Sequence, residues 1–454
     1  MAGTSEFAPQ TLQTLSGLRF SAATAAFQIE GARTLGGRGR SIWDDFVDAP
    51  GNVIDGSTAD PGPDSYHRSA EDAALLSGLG VDRYRFSISW VRTIPDGKPG
   101  ATPNAAGLDH YDRVVDELLA AGVTPEPTLY HWDLPSGLEA EGGWLNRDTV
   151  HRFGEHVEAV ANRLGDRVHH WYTINEPAST SLQGYALGEL APGRTMLFDA
   201  LPSVHHQLLA HGTAATILRE HGARQVAAAI NHSLILPETD AESDHRAAAT
   251  LDLIYNRLFA DPLLLGEYPD LEELDEQMPI HDGDMELISA PCEVYGLNYY
   301  NPTTVRSVNE GPLPFEMVPT PDAATTGFGP LWPIRPDTLR DLLIDMRTRY
   351  GPTLPPIVIS ENGASFPEPE VCTEPVRDDD RIAYLHDHLL AVSEAVEAGV
   401  SVAGYTVWSL LDNFEWAYGY TQRFGLVHVN MDTGQRTPKS SYEWYRDLIA
   451  SVRA

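Results

Sequence analysis

The sequence contains few cysteines and almost no lysine. Its two cysteines, Cys292 and Cys372, lie far apart and form no Cys-x-x-Cys motif, and its only lysines are Lys98 and Lys439. This pattern supports neither a disulfide framework nor a cysteine-ligated zinc site. We therefore expect two inert, partly buried thiols, and a positive charge that is carried almost entirely by arginine.

Basic charge as a whole is scarce. The chain has 65 acidic and 31 basic side chains and a net charge of -34, with no basic cluster that could follow a phosphate backbone. We expect neither nucleic acid nor an anionic membrane as a partner. No window holds about 18 consecutive apolar residues, and residues 1–13 lack the basic and apolar regions of a signal peptide. The sequence therefore predicts a soluble, cytoplasmic protein.

What the sequence does contain is a repeated alternation of strand and helix. Short β-prone runs alternate with amphipathic segments such as "LDHYDRVVDELLAAGV", and several of these segments end at a glycine suited to a helix C-terminal cap. Eight such repeats predict an α/β fold, the (β/α)8 TIM barrel. The predicted strands span residues 18–27, 82–90, 124–132, 169–176, 225–233, 293–300, 356–361 and 402–410.

An open, doubly wound sheet shows the same alternation, but the glycine pattern disfavours it. That fold carries a glycine-rich phosphate loop directly after its first strand, whereas "GGRGR" at residues 36–40 comes too late. No change in composition marks a second domain. We predict a single catalytic barrel domain over residues 1–454, with its site at the C-terminal ends of the strands. The long stretches at 303–335 and 364–380 follow strands and should lie on the same face.

Two glutamates end predicted strands in similar surroundings. "WYTINEP" places Glu176 after Asn175, and "IVISENG" places Glu361 before an asparagine. At the ends of the fourth and seventh strands, the two side chains would face each other across the barrel mouth. A single glutamate of this kind could be a carboxylate at a helix N-terminus, stabilised by the helix dipole and without a catalytic role. A matched pair instead indicates hydrolysis of a glycosidic bond, with one carboxyl group protonated and the other ionised.

The other predicted strand ends carry polar groups and tryptophan. A sugar-binding site needs both hydrogen-bonding groups for the hydroxyls and an apolar platform for the C–H face. Taken singly, each of these residues would be read as a core or ion-pair residue, but their shared location favours a sugar site. They are Gln28, Arg85, His131, Trp132, Asn298, Tyr300, Trp408, Glu415 and Trp416.

These motifs resemble glycoside hydrolase family 1, the β-glucosidase family. The matching segments include "ATAAFQIEGA", "LYHWDLP", "TINEP", "GLNYY", "ISENG" and "WSLLDNFEW", and together they cover nearly the whole chain in order. The resemblance implies a retaining β-glucosidase that acts through a covalent glycosyl-enzyme intermediate and needs no metal or cofactor. Its implied substrates are the terminal β-D-glucosyl residues of cello-oligosaccharides or of aryl and alkyl β-glucosides.

Carried over by position, the resemblance makes Glu176 the general acid/base and Glu361 the nucleophile. Arg85 and Tyr300 match the groups that hold the nucleophile, and we expect them to lower its pKa. The remaining matches concern the bound sugar. They are Gln28, His131, Asn175, Glu415 and Trp416 as hydroxyl-binding residues, Trp132 beside His131, Trp408 as the floor, Phe424 as the residue that closes the pocket near C6, and Asn298 as a member of the network around the nucleophile.

A few positions depart from the usual pattern of the family. Ser21, Ser360, Ala178 and Leu190 replace commoner residues, and the segment 329–339 also differs. The residues that match sugar contacts are unchanged. We therefore expect the variation to fall on the leaving-group side of the site, which the loop after the fourth strand and residues 303–335 should build.

Three alternatives share much of this pattern. A member of the family that prefers β-galactosides or β-fucosides would carry the same motifs. A 6-phospho-β-glycosidase has a serine where Glu415 stands, and a carboxylate there repels phosphate. A catalytically silent sugar-binding barrel typically lacks one glutamate of the pair, and both are present here. The expected ligand is a small-molecule β-glycoside, and the sequence is also compatible with a homo-oligomer.

Overall fold

The computed structural model describes residues 7–270, 277–311, 313–370 and 375–454. In these ranges the chain forms thirteen strands and fifteen α-helices. The strands are β1 Arg19–Ala23, β2 Arg83–Ser87, β3 Thr124–Tyr130, β4 His170–Asn175, β5 Gln225–His232, β6 Ile235–Pro237, β7 Tyr295–Tyr299, β8 Thr303–Ser307, β9 Phe315–Val318, β10 Ile357–Asn362, β11 Val402–Trp408, β12 Val427–Val429 and β13 Arg436–Pro438. The helices are α1 Pro9–Leu15, α2 Ala26–Ile29, α3 Ile42–Asp48, α4 Ser65–Leu79, α5 Trp90–Thr93, α6 Ala105–Ala120, α7 Ser136–Ala140, α8 Asp148–Leu164, α9 Leu201–Glu220, α10 Glu242–Asp252, α11 Leu258–Leu265, α12 Asp284–Ile288, α13 Pro336–Tyr350, α14 Asp379–Glu397 and α15 Ser440–Arg453.

Eight of the strands close into a barrel. Around the barrel their order is β1, β2, β3, β4, β5, β7, β10 and β11, and β11 pairs with β1 again. Every neighbouring pair is parallel, so all eight C-terminal ends meet at one rim. Long helices such as α8 cover the outside with an apolar stripe, in which Val150, Phe153, Val157 and Val160 are buried. The predicted TIM barrel is confirmed.

The predicted strands are correct to within a few residues, except that the first two end early. Strand β1 stops at Ala23 and is followed by helix α2, and β2 stops at Ser87 before helix α5 begins at Trp90. In both places the chain turns at the barrel rim while its side chains stay buried. Hydrophobicity therefore continues past the end of the strand and cannot mark it.

Register places chemically different strand ends side by side. Glu361 of β10 is paired with Asn298 of β7, and Ala23 of β1 is paired with both Arg85 and Trp408. The register shifts just before Glu361 in β10 and just before the end of β4. Such irregularities are common beside active sites, where they change the direction of a side chain. Here they occur in the two strands that lead to the paired glutamates.

The loops on the C-terminal side of the barrel contain some regular structure. Residues 303–335, expected on this face of the barrel, include β8 and β9, which form a small three-stranded sheet with β6. Thr304 pairs with Val318 and Val305 with Met317 in this sheet. The sequence did not reveal these strands, because a strand of four or five residues is too short to show a clear period among the many prolines and glycines of this stretch. In the other long stretch, 364–380, no helix or strand occurs among the described residues before α14 begins at Asp379.

Two further expectations concern the cysteines and membrane helices. Cys292 is partly buried, and burial raises the pKa of its thiol to about 11, so it is protonated and unreactive at neutral pH. Cys372 lies outside the described residues. Among the helices of the described ranges, none combines the length and the apolar character that crossing a membrane requires.

Candidate active site

A cavity of about 700 Å³ opens at the C-terminal rim of the barrel. Eleven of the thirteen predicted site residues line it, and Gln28 and Arg85 lie behind its wall. We call the buried part around Glu361, Trp408 and Phe424 the inner end, and the part that opens between exposed loops the outer end. The lining residues predicted from the sequence are His131, Trp132, Asn175, Glu176, Asn298, Tyr300, Glu361, Trp408, Glu415, Trp416 and Phe424.

Glu361 is held by a cation and a phenol. Arg85 Nη1 donates to Glu361 Oε1 at 2.5 Å, and the Tyr300 hydroxyl donates to Oε2 at 2.7 Å. Arg85 is in turn fixed by Thr128 and by Asn175, and its guanidinium lies over the ring of Tyr172. Both carboxylate oxygens therefore receive a directed hydrogen bond, which fixes the plane of the carboxylate.

Glu176 has neutral partners. Asn298 Nδ2 donates to Glu176 Oε1 at 2.9 Å, and Ser179 Oγ donates to Oε2 at 2.9 Å. The backbone of Glu176 has φ of +44°, and Trp132 and Trp416 also have positive φ. Non-glycine residues in this region are uncommon and cluster at functional sites. The described chain has eight non-glycine residues with positive φ, and three of them are predicted site residues.

A pair of asparagines connects the two glutamates. Asn175 Oδ1 accepts hydrogen bonds from Arg85 Nη2 at 2.7 Å and from Asn298 Nδ2 at 3.1 Å. Asn298 also donates to Glu176, and its own Oδ1 accepts from Ser360 Oγ at 2.7 Å. Both asparagine side chains are buried and hydrogen-bonded. A displacement of either one would therefore disturb both carboxyl groups. Asn298 therefore lies between the two carboxyl groups: it donates to Glu176, and its amide also acts to lower the pKa of Glu361.

The two carboxyl groups have different electrostatic surroundings. Burial and the charge of Glu361 raise the pKa of Glu176 to about 7. Burial also raises the pKa of Glu361 above 4.5, although Arg85 and Tyr300 oppose that change. Arg85 and Tyr300 lower the pKa of Glu361 as expected, but burial, which the sequence did not reveal, outweighs them in the net shift. The cation still marks Glu361 as the carboxyl group whose charged form is specifically stabilised.

Glu415 is a third carboxyl group in the cavity. Burial, with smaller contributions from the charges of Glu361 and Glu176, raises its pKa to about 8. Gln28 Nε2 lies 3.4 Å from Glu415 Oε2 and donates more closely to the carbonyl oxygen of Phe414, at 2.8 Å. The loop is closed by a hydrogen bond from the Glu415 amide to the carbonyl of Gly419. Glu415 therefore has few hydrogen-bond donors from the protein, and its carboxyl group faces any ligand at the inner end.

Aromatic rings form the walls of the inner end. The ring of Trp416 lies 4.5 Å from that of Trp132 and 6.0 Å from that of His131, which in turn stacks on Trp408 at 5.9 Å. Phe424 packs edge-on against Tyr300 at 6.0 Å. Such a wall offers flat apolar surface for the C–H face of a ring, between the polar groups described above.

Comparison with known proteins identifies the family. The sequence model described as glycosyl hydrolase family 1 matches residues 13–453. The chain belongs to this family. Its relatives include a bifunctional β-D-glucosidase/β-D-fucosidase of Bifidobacterium breve, which is 42% identical over 96% of this chain and 98% of its own length. β-Glucosidase A of Acetivibrio thermocellus is 41% identical over 95% and 96%, respectively.

Solved structures of family 1 members share the fold. The psychrophilic β-glucosidase of Micrococcus antarcticus superposes with a TM-score of 0.91 at 42% identity, over 97% of this chain and 98% of its own. A Thermotoga maritima β-glucosidase in complex with glucoimidazole superposes with a TM-score of 0.90 at 38% identity, over 96% and 98% of the two chains. The resemblance inferred from the sequence motifs is thus confirmed for the family and the fold.

Several residues of this family 1 site were not anticipated from the sequence. Ser179 contacts Glu176, Thr128 contacts Arg85, and Phe328 and Trp332 stack on each other at 4.3 Å in the cavity wall. Ser179 follows Glu176 by three residues in a turn of helix, a spacing that could have revealed it. Ser360, noted only as a departure from the family pattern, keeps a hydroxyl that donates to Asn298.

Outside the cavity, Glu368, Asp412 and His428 place potential metal ligands within 4.8 Å of one another. Lys439 is fully buried among them, and its Nζ donates to Glu368 at 2.7 Å and to Asp412 at 2.8 Å. The ammonium group already supplies the positive charge that these carboxylates need. This cluster is therefore a buried ion network, and the lysine is one of only two in the chain.

Proposed function

We propose that this family 1 protein is a retaining β-glucosidase, with Glu361 as nucleophile and Glu176 as general acid/base. The observation that carries the proposal is the unequal treatment of two buried carboxyl groups in one cavity. Glu361 is bound by a guanidinium and a phenol, whereas Glu176 is bound by neutral groups and has a pKa of about 7. A retaining mechanism requires this division between an ionised and a protonated carboxyl group.

In the first step, a carboxylate oxygen of Glu361 attacks the anomeric carbon as the bond from that carbon to the glycosidic oxygen breaks. Glu176 gives its proton to the departing oxygen, which leaves as a neutral alcohol. The sugar is then esterified to Glu361 and the negative charge resides on Glu176. Arg85 holds Glu361 in place for the attack, and the Tyr300 hydroxyl, whose pKa is raised well above 10, stays protonated as a donor throughout.

In the second step, Glu176 acts as a base. Esterification removes the charge of Glu361, and that charge is one cause of the raised pKa of Glu176. Glu176 therefore becomes more acidic and stays ionised. It takes a proton from a water molecule, whose oxygen attacks the anomeric carbon on the face opposite Glu361. The ester bond breaks, Glu361 leaves as a carboxylate, and the sugar departs with the configuration it had at the start.

The inner end has polar atoms left over for a sugar. His131 Nε2 accepts from Asn175 at 3.0 Å, so the proton of this neutral imidazole resides on Nδ1, which has no protein partner among the described residues. Gln28 Oε1 is likewise buried without a partner there. We assign these atoms and Glu415 to sugar hydroxyls, with Trp408, Trp416 and Trp132 as apolar walls and Phe424 as the residue that closes the pocket.

The substrate is a small β-glycoside with an unphosphorylated sugar. A carboxyl group at Glu415 disfavours a 6-phosphate, and both glutamates needed for turnover are present, which argues against a silent binding barrel. The Bifidobacterium breve relative is named for both glucosidase and fucosidase activity, so we include β-fucosides as a second substrate class. We also propose that residues 1–454 act as one catalytic domain, of which the family match covers 13–453.

Chemical rescue of Glu361→Gly tests the assignment of the nucleophile. Loss of the side chain should lower kcat on nitrophenyl β-glucoside by about 10⁴-fold or more. Azide should restore turnover, because it fits into the vacated space and attacks from the same face, giving the α-glucosyl azide. A β-azide product, or a variant that retains normal activity, would show that Glu361 is not the nucleophile.

A further inference from the structure

The buried ion network around Lys439 extends to the wall of the inner end. Arg381, near the start of α14, donates to the carboxylate of Glu368, which also accepts from Lys439. Lys439 donates in turn to Asp412. These four side chains, two cations and two carboxylates, are all buried. Lys439 joins the two carboxylates and so connects the two halves of the network.

The network holds the backbone on both sides of Phe424. Arg381 Nη1 donates to the carbonyl oxygen of Phe424, and Nη2 donates to that of Arg423, both at 3.1 Å. On the other side, the amide of Gly425 donates to Asp412 Oδ1 at 2.9 Å. Charged side chains thereby fix three consecutive residues. Because the backbone sets the direction of each Cα–Cβ bond, these contacts determine where the ring of Phe424 lies.

The same guanidinium reaches the segment that follows the nucleophile. Arg381 Nη1 also donates to the carbonyl oxygen of Ala364, three residues after Glu361. Next to it, Ser365 Oγ accepts from the amide of Arg423 at 3.0 Å. Arg381 therefore joins the chain that leaves β10 to the segment that carries the pocket-closing ring.

Asp412 lies where this segment meets the loop of Glu415. A Cβ atom at Gly425 would lie 2.1 Å from the amide nitrogen of Asp412 and 2.4 Å from the carbonyl carbon of Leu411. Asp412 precedes Glu415 by three residues. The Phe424 segment and the Glu415 loop are thus packed backbone against backbone, and a shift of one would displace the other.

Only the ends of these contacts face the cavity. The ring of Phe424 is 3% exposed and packs against Tyr300 at 6.0 Å and Phe328 at 5.7 Å, in a cluster that includes Trp408. None of the four network side chains is among the described residues that line the cavity. The network can therefore act on a bound sugar only through the segments that it holds.

We infer that Lys439 and Arg381 are positioning residues for recognition of the sugar at C6. The inference rests on the proposed β-glucosidase function, in which Phe424 closes the pocket near C6. Lys439 balances the charges of Glu368 and Asp412. With this balance in place, Arg381 and Asp412 hold the two sides of Phe424. A purely structural network would fasten α14 and α15 to the barrel and would have no effect on which sugar is preferred.

Removal of the central cation tests the inference. In Lys439→Met, the buried carboxylates of Glu368 and Asp412 lose their shared counter-charge and repel each other, so the Phe424 segment should shift. The measured quantity is the ratio of kcat/KM on nitrophenyl β-glucoside to kcat/KM on nitrophenyl β-xyloside, which lacks C6. This ratio should fall about tenfold as the contacts at C6 weaken. Because both substrates are measured on one sample, a loss of folded enzyme cancels from the ratio.

A second variant preserves the charge balance, and a third is the matched control. Lys439→Met combined with Glu368→Gln removes one positive and one negative charge, so it should fold even where the single variant does not. Its ratio should fall about fivefold. The control Arg147→Met takes a cation from the buried carboxylate of Asp284, and neither residue is among the described residues that line the cavity. The control should keep the original ratio.

The outcomes separate this inference from the proposed function. A ratio that falls in the Lys439 variants and not in Arg147→Met establishes the positioning role. If the folded double variant hydrolyses both glycosides with the original ratio, the network is structural only and the inference is wrong, while the β-glucosidase function stands. The inference also fails if Arg147→Met lowers the ratio equally, or if the unaltered enzyme prefers the xyloside. If the unaltered enzyme hydrolyses no β-glycoside, both proposals are overturned.

Discussion

The inner and outer ends of the cavity are built on opposite principles. At the inner end, Glu361, Arg85, Asn175, Asn298 and Glu176 are buried and bonded to one another. At the outer end, apolar side chains on loops stand partly in solvent and make few directed contacts. Hydrogen bonds at the inner end fix the positions of individual atoms. The outer end offers apolar surface but does not fix individual contacts.

This difference matches the chemistry required of each end. Bond cleavage depends on preorganised groups that cannot relax, and supporting them with a second layer of hydrogen bonds maintains their geometry. Recognition of a leaving group by apolar contact is non-directional and tolerates variation in shape. Substitutions at the inner end should therefore act on catalysis in large steps, whereas those at the outer end should change substrate preference gradually.

The largest effect that tests this comparison is expected for Glu176→Ala. Without the acid, the departing oxygen of an alkyl glucoside cannot be protonated, so kcat/KM should fall by about 10³-fold. Dinitrophenyl β-glucoside needs no proton on its leaving group, so its glycosylation rate should fall less than about tenfold. Single-turnover kinetics on both substrates measures the difference.

The matched control for Glu176→Ala is Glu189→Ala, which removes a carboxyl group from the outer end of the same cavity. Its kcat/KM on both substrates should change by less than about threefold. Equal losses on the two substrates for Glu176→Ala would contradict an acid role. A large loss in Glu189→Ala would show that the outer end also takes part in bond cleavage.

A smaller effect is expected for Glu415→Gln, which keeps the shape of the side chain but replaces a carboxyl oxygen by an amide nitrogen. Loss of a hydrogen bond to the sugar hydroxyls should lower kcat/KM on β-glucoside about tenfold or more. β-Xyloside has no C6 hydroxymethyl group and should lose distinctly less. Equal losses on the two glycosides would mean that Glu415 does not contact that part of the sugar.

The same variant has a stability signature. The folded-state pKa of Glu415 is raised to about 8. Ionisation of Glu415 therefore lowers the free energy of unfolding, and this loss grows as the pH rises from the unfolded-state pKa of Glu415 toward 8. Glu415→Gln should therefore raise the free energy of unfolding by about 3 kcal/mol more at pH 8 than at pH 5. Urea unfolding at the two pH values measures this. An equal change at both would mean that the carboxyl group is not destabilised by its surroundings.

The sequence predicted the inner end of the site better than the outer end. The inner end lies on strand ends, and parallel strands bring their C-terminal residues to one rim, so a motif such as "TINEP" carries its position with it. The outer end is built by segments such as Leu197–Ala200 and β9, whose meeting depends on long loops. The loop after the fourth strand and residues 303–335 were expected on this side of the site, and both line the cavity, but no local pattern predicts that the side chains of Leu187 and Met317 share the opening.

The sequence also did not predict the net pKa shifts of the carboxyl groups. The contacts of Glu361 with Arg85 and Tyr300 were anticipated, but the amount of burial was not, and burial decided the net direction of the pKa change. Ser179 was missed for a related reason. A serine in the first turn after a strand has many ordinary roles, so its spacing of three residues from Glu176 allows a contact, and the structure shows that the hydroxyl makes it.

The smallest effect predicted here concerns that hydroxyl. Glu176 must be protonated to act as an acid, so a pKa of about 7 predicts that kcat/KM falls as the pH rises past 7. The hydrogen bond from Ser179 favours the ionised carboxylate and holds this pKa down. Ser179→Ala should therefore move the basic limb of the pH profile upward by about 0.5 pH unit.

The matched control for Ser179→Ala is Ser181→Ala, in the same helical segment, because Ser181 Oγ accepts from Gln207 at 2.8 Å. It should leave the limb where it is. A purely structural role for Ser179 would lower kcat/KM equally at every pH and leave the midpoint of the limb in place. A limb that moves downward would mean that Ser179 stabilises the protonated acid, and the hydroxyl would then have to accept rather than donate. An upward shift in Ser179→Ala alone would show that the inner end adjusts the acidity of its catalytic groups through single neutral hydrogen bonds, which the apolar outer end has no means to do.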